Sequence, residues 1–151
     1  MTLYSKAADI AAAISSRLQA VTQANGYETD LGERVYRGRR NVDETQVPCS
    51  VLLEGTDTPT DRPGKLPTAA ITQRYVLAAY VPCDPDNPND AAHAAIRDLK
   101  RAMFAGDGDF GGRVRQVSYR GRDIGPRADG LPIVFVTVDI DVEYIEDLSN
   151  P

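Results

Sequence analysis

A single histidine, His93, and no tryptophan occur in this chain, and lysine accounts for only three of its 17 basic residues. The shortage of histidine removes the side chain that most often moves protons near neutral pH. His93 lies among alanines on a helical stretch, three residues before Ile96, with no nucleophile or acid at a catalytic spacing. It reads as a boundary residue, and no enzyme is expected. The two cysteines, Cys49 and Cys83, match no metal or redox spacing, so reduced thiols at a strand and a strand exit are the plainer reading over a disulfide. No apolar run reaches the ~18–20 residues of a membrane span, and the N-terminus lacks a signal peptide's apolar stretch. A soluble protein made in a cytoplasm, with no membrane partner, is expected.

What is present is an ordinary globular composition, 42% hydrophobic and 26% charged over 151 residues, enough for one domain with its own core. The net charge of −5 argues against nucleic-acid binding through bulk electrostatics. Fourteen of the 17 basic residues are arginine, whose planar, bidentate contacts suit desolvated protein interfaces.

The strongest pattern is Leu131 to Ile145. Val134, Val136, Val138, Ile140, Val142 and Tyr144 alternate onto one side; Ile133, Phe135, Thr137, Asp139, Asp141 and Glu143 take the other. This predicts a long strand with one buried face and a second face that turns acidic along its length. Residues 3–22 predict a first helix, with Leu3, Ala7, Ile10, Ile14, Leu18 and Val21 on one face and Asn25-Gly26 as its stop. Strands are predicted at 34–37, 49–54, 69–81 and 113–124. A second helix, capped by Asn89 or Asp90 and running to about Ala105, turns Ala92, Ile96, Leu99 and Met103 inward and leaves Arg97, Asp98, Lys100 and Arg101 solvated. Residues 55–67 hold almost nothing apolar and predict a mobile arm or hairpin tip. The order α-β-β-β-α-β-β implies an α+β domain spanning 1–151, a mostly antiparallel sheet of four or five strands with two helices on one face.

Motif matches resolve into turns. Gly106, Gly108 and Gly111 have dinucleotide-fingerprint spacing, but a helix precedes them and a strand follows, the reverse of what that fold needs. Asp84, Asp86 and Asp90, or Asp107 and Asp109, hint at calcium, yet Ser118 stands where a bidentate glutamate is required. No cofactor and no metal are expected. Two arginine groups remain: Arg34, Arg37, Arg39 and Arg40 around the first strand, and Arg113, Arg115, Arg120, Arg122 and Arg127 around the fourth. A solvated strand face explains any one of them. Together with Asp139, Asp141 and Glu143 they also suit a self-complementary or head-to-tail subunit contact, on elements taken here to be neighbours.

The helix running into Ala24-Asn25-Gly26-Tyr27, then Thr29-Asp30-Leu31-Gly32, Val35 with Arg37-Gly38, Val47-Pro48 opening a strand, and the terminal apolar–acidic hairpin resemble the tail terminator (tail completion) proteins of long-tailed bacteriophages. The resemblance follows the element order along nearly the whole chain, and its compact motif is residues 25–38. It implies a subunit of a homohexameric ring that caps the head-proximal end of the tail tube. Such a ring stops tube polymerisation and gives the head a surface to join, without catalysis. Its implied partners are the tail tube protein and a head–tail connector or neck protein, with DNA passing through without specific binding. The implied location is the virion, after assembly in the host cytoplasm. Another neck or stopper subunit is the nearest rival. A small-molecule-binding α+β domain, marked by an apolar cavity with convergent polar groups, is the rival of another class.

Overall fold

The computed structural model describes residues 5–39, 41–60, 67–126 and 130–151. Strands β1 (Val35–Arg37), β2 (Cys49–Pro59), β3 (Thr68–Pro82), β4 (Gln116–Ile124) and β5 (Ile133–Asp147) form one sheet in the order β1-β2-β3-β5-β4. All pairs are antiparallel except β1 with β2, which run parallel. Helices α1 (Lys6–Gln19) and α2 (Pro88–Phe104) cover one face, α2 over β3, β5 and β4 and α1 beside it toward β1 and β2. This is the expected α+β architecture, with five strands.

β5 is central because its alternation fits only a strand covered on one side. All six predicted inward residues, Val134 to Tyr144, are fully buried, each worth about 1.5–3 kcal/mol relative to exposure. They meet Ile71, Tyr75, Leu77, Ala79 and Val81 of β3, and above them Ile10, Ile14 and Leu18 of α1 with Ile96, Leu99 and Met103 of α2.

Several boundaries differ from expectation. Helix α1 begins after Ser5, whose hydroxyl accepts from the Ala8 amide, and ends at Gln19, before Asn25-Gly26; Leu3 lies outside the described residues. Asn25 and Gly26 instead close a separate 3-10 turn, Gln23–Asn25, with Gly26 in the left-handed region. Helix α2 starts two or three residues early, after Asn87, with Pro88 in its first turn, where a missing N–H costs nothing. The expected loop from 55 onward is strand as far as Pro59. Asp57, Thr58 and Pro59 pair with Gln73, Thr72 and Ile71, because β3 is long enough to present backbone partners to them. Of the rest of the predicted arm, residues 61–66 lie outside the described residues.

Asp98 is not solvated. It is buried on α2, and its carboxylate accepts from the Glu28 amide at 3.1 Å, the Thr29 amide at 2.7 Å and the Thr29 hydroxyl at 2.5 Å. Arg101 on the same helix donates to the Gly26 carbonyl at 2.7 Å and stacks over Tyr27, while Arg97 pairs with Glu28. Helix α2 thereby holds segment 26–30 in place. That segment leads to Gly32, whose amide donates to the Val21 carbonyl at 2.7 Å. A Cβ at Gly32 would lie 2.4 Å from the Gln19 carbonyl oxygen, so no larger residue fits.

Candidate assembly surfaces

The face of the sheet away from the helices divides in two. At one end Val51, Leu53, Ala78, Tyr80 and Phe135 line a concavity of about 140 Å³ beside Arg39, with the Tyr80 and Phe135 rings 4.8 Å apart. At the other end runs a ladder of opposite charges. Arg74 donates to Asp141 at 2.6 Å and Arg120 donates to its second oxygen at 2.7 Å. Arg74 also lies 4.0 Å from Asp139, and Arg115 lies 3.9 Å from Glu143. Burial alone would raise the Asp141 carboxyl, but the two guanidiniums outweigh it and hold the group below the ordinary carboxylate range.

The expected site residues are thus brought together only in part. Asp139, Asp141 and Glu143 do share one face with Arg115 and Arg120. Their charge is balanced within the chain, and by Arg74 of β3 as much as by β4. The two arginine groups do not flank neighbouring elements: β1 and β4 are the opposite edges of the sheet, because β5 inserts between β3 and β4. At the β1 edge Arg37 lies 3.6 Å from Glu54, and Arg39 stacks over Tyr36 while donating to Gln46. Arg40 lies outside the described residues. Arg113 faces α1, donating to Asp9 and to the Phe110 carbonyl, both at 2.8 Å.

Arg122 stands apart for a reason in the backbone. Tyr119 pairs with Ile140 and Gly121 with Asp139, so Arg120 and Gly121 together oppose one residue. Gly121 has φ +126°, which a side chain would strain. In an unbroken strand Arg120 and Arg122 would share a face. The bulge instead sets Arg122 opposite Val138, on the helix side. There it joins His93, Arg97, Lys100, Arg101 and Phe104 of α2 around a surface groove of about 580 Å³. These α2 positions recur every three or four residues and form one exposed stripe.

The aspartates singled out for calcium serve turns. Asp84 accepts from the Asp86 amide at 3.0 Å; Asp107 accepts from the Asp109 and Gly111 amides, and hydrogen bonds with those residues hold it below the usual carboxylate range. Among the described residues no three His, Cys, Asp or Glu side chains are placed to hold a metal ion. Cys49 and Cys83 are both free, and burial pushes the Cys49 thiol up despite Arg34 and Arg39 nearby. No described helix is long and apolar enough to cross a membrane.

The fold and these surfaces define an α+β protein with two helices on one face of a five-stranded, mostly antiparallel sheet. No protein-family profile matches the chain, and no curated protein matches it in sequence. In three dimensions it is similar to a chain of a structure described as the virion of native gene transfer agent (GTA) particle. The TM-score is 0.56 at 13% identity, covering 89% of this chain and 92% of that one. At that identity the likeness is one of fold, and it runs nearly end to end in both chains.

Proposed function

We propose that this chain is a structural protein of a phage-like virion and, within that class, a tail terminator. The observation that carries the reading is the fold shared with the gene transfer agent virion chain, matched over about nine tenths of both chains. The resemblance of residues 25–38 and of the element order points to the same class. In this reading the protein forms a homohexameric ring on the head-proximal end of the tail tube, blocks further addition of tube protein and offers a new face to a neck protein. DNA passes through without specific binding, and no reaction is catalysed. The arginines of the two sheet edges, Arg37 and Arg39 on one and Arg122 on the other, are its candidate contact residues. Their placement on opposite edges favours head-to-tail contacts, which close into rings, over a two-fold dimer.

Light scattering over a range of concentrations, followed by mixing with growing tail tubes, tests the proposal. A species near six times 16.4 kDa and tubes arrested at a capped end are expected. A chain that neither multimerises nor arrests tube growth overturns it. A ring that binds the neck but leaves tube length unchanged would move the protein to the neighbouring connector position.

A further inference from the structure

Four large apolar side chains stand exposed among the described residues: Phe104 (39%), Tyr119 (44%), Ile145 (38%) and Leu148 (51%). They form two pairs with opposite surroundings. Phe104 and Tyr119 meet edge to face with centroids 6.5 Å apart, beside the groove between α2 and β4. That groove is rimmed by Arg97, Lys100, Arg101 and Arg122 and lined by no carboxylate. Glu28 neutralises Arg97, and Arg101 is held by the Gly26 carbonyl. Lys100 instead lies over the Tyr119 ring at 4.6 Å, and Arg122 has no carboxylate within ion-pair distance among the described residues. The second pair, Ile145 and Leu148, brackets Glu146 and Asp147 at the end of β5. Lys6 nearby donates to the Ile145 carbonyl at 2.6 Å, and Asp147 accepts from the Ser149 amide and hydroxyl; among the described residues no cation pairs with either carboxylate.

We propose that the groove of one copy receives the Ile145–Leu148 end of a second copy, the acidic pair meeting Lys100 and Arg122 and the two aliphatic side chains covering Phe104 and Tyr119. The register keeps a chain from filling its own groove. Tyr119 lies opposite Ile140, whereas Ile145 and Asp147 are held against Ala70 and Thr68 at the far end of the sheet. A duplex would meet Phe104 and Tyr119 with a hydrated phosphate backbone, while an acidic segment with apolar tips matches both charge and hydrophobicity. The contact is head-to-tail, so each copy retains one open groove and one open end until a ring closes. Four residues bury far less than the roughly 1,200 Å² of a stable pair, so closure supplies the strength. This contact rests on the ring reading and names one of its joints.

The test uses two full-length variants, Lys100→Glu with Arg122→Glu, and Glu146→Lys with Asp147→Lys, each first shown to melt like the wild type. Light scattering is expected to show association weakened roughly tenfold or more in each variant alone and restored when the two are mixed, because their reversed surfaces then complement each other. Restoration on mixing is something neither misfolding nor a change in net charge produces. Association that persists in both variants, or that mixing fails to restore, overturns this contact and leaves the ring reading standing. A wild type that stays at 16.4 kDa up to millimolar concentration and also fails to arrest tubes overturns both; staying at that mass while arresting tubes overturns the contact alone. Labelled duplex DNA is the control: tight binding abolished only by the groove variant would assign the groove to a polyanion instead.

Discussion

The two faces of this sheet share the same strands and are held by different forces. On the helix side β5 presents Val134, Val136, Val138, Ile140, Val142 and Tyr144 to α1 and α2. On the other side the same strand presents Thr137, Asp139, Asp141 and Glu143, and the three carboxylates pair with Arg74 of β3, Arg120 of β4 and Arg115 just before β4. The first face draws its stability from area removed from water. The second draws little, because Arg74 and Arg120 remain about half exposed and solvent screens their pairs with Asp141. A charged ladder of this kind fixes which strands lie side by side more than it holds them together. The dry face makes the fold, and the wet face is left for other work.

The comparison breaks most readily in the core. Ile140→Ala is expected to cost about 2–5 kcal/mol in urea unfolding, whereas Thr137→Ala, three residues away on the open face, costs under about 1 kcal/mol. Equal costs would show that the open face is covered in the free protein. High pH probes the dry face next. Burial, with the charges of Glu146 and Asp57 adding to it, pushes the Tyr144 phenol up to about 12 from its ordinary 10.0, and Tyr75 is pushed up further by burial. A folded pKa above the unfolded one means that this stability is whole below pH 10.0 and declines as pH rises through about 12. The Tyr144 share of the loss, on the order of 2 kcal/mol, is measurable as a falling urea midpoint, and Tyr144→Phe should make the decline shallower while Tyr75 keeps the remainder. Asp98→Ala is expected to cost about 1–3 kcal/mol by thermal melting, since the Glu28 and Thr29 amides lose their acceptor. Hydrogen exchange should rise first in 26–30.

The smallest effect belongs to the open face. Asp141→Asn is expected to cost about 1 kcal/mol or less at neutral pH. Because the Asp141 carboxyl is held below 3.8, its contribution is present above that pH and lost as pH falls through the depressed value. The variant should therefore show a shallower acid dependence than the wild type. A variant as acid-sensitive as the wild type would mean that Arg74 and Arg120 do not act through Asp141.

How much of this could be read in advance differs along the chain. Elements whose periodicity matches their burial are legible: β5 and the inner stripe of α2 place the expected residues inside. Asp98 was misplaced although its position was informative. It stands three residues after Ala95 and four before Ala102, both buried, and only its charge argued for solvent. What brought it inside was segment 26–30 arriving with two free amides, which no local pattern announces. The polar composition of Gly55–Pro59 hid a strand for a similar reason, since its partner is β3 and its ordering is nonlocal. Among the candidate site residues, the acidic row of β5 is legible from alternation, but its partner Arg74 stands alone on β3 and lacks the density that marks the other arginines. Strand order is not legible in the sequence, so nothing there separates the two arginine groups onto opposite edges. Arg122 was grouped with Arg120 because period two admits no insertion; Gly121 was the available signal.

That insertion has a counterpart. In β2, Gly55 and Thr56 together oppose Arg74, just past the stretch that β1 covers, so both outer borders of the sheet lose step once. A foreign strand approaching either border would find donors and acceptors in phase for only a few residues before the rhythm shifted. Edge-to-edge pairing of sheets, the route by which crowded β-rich proteins turn into fibres, is interrupted at both sides. The chain carries this safeguard in two extra residues of backbone.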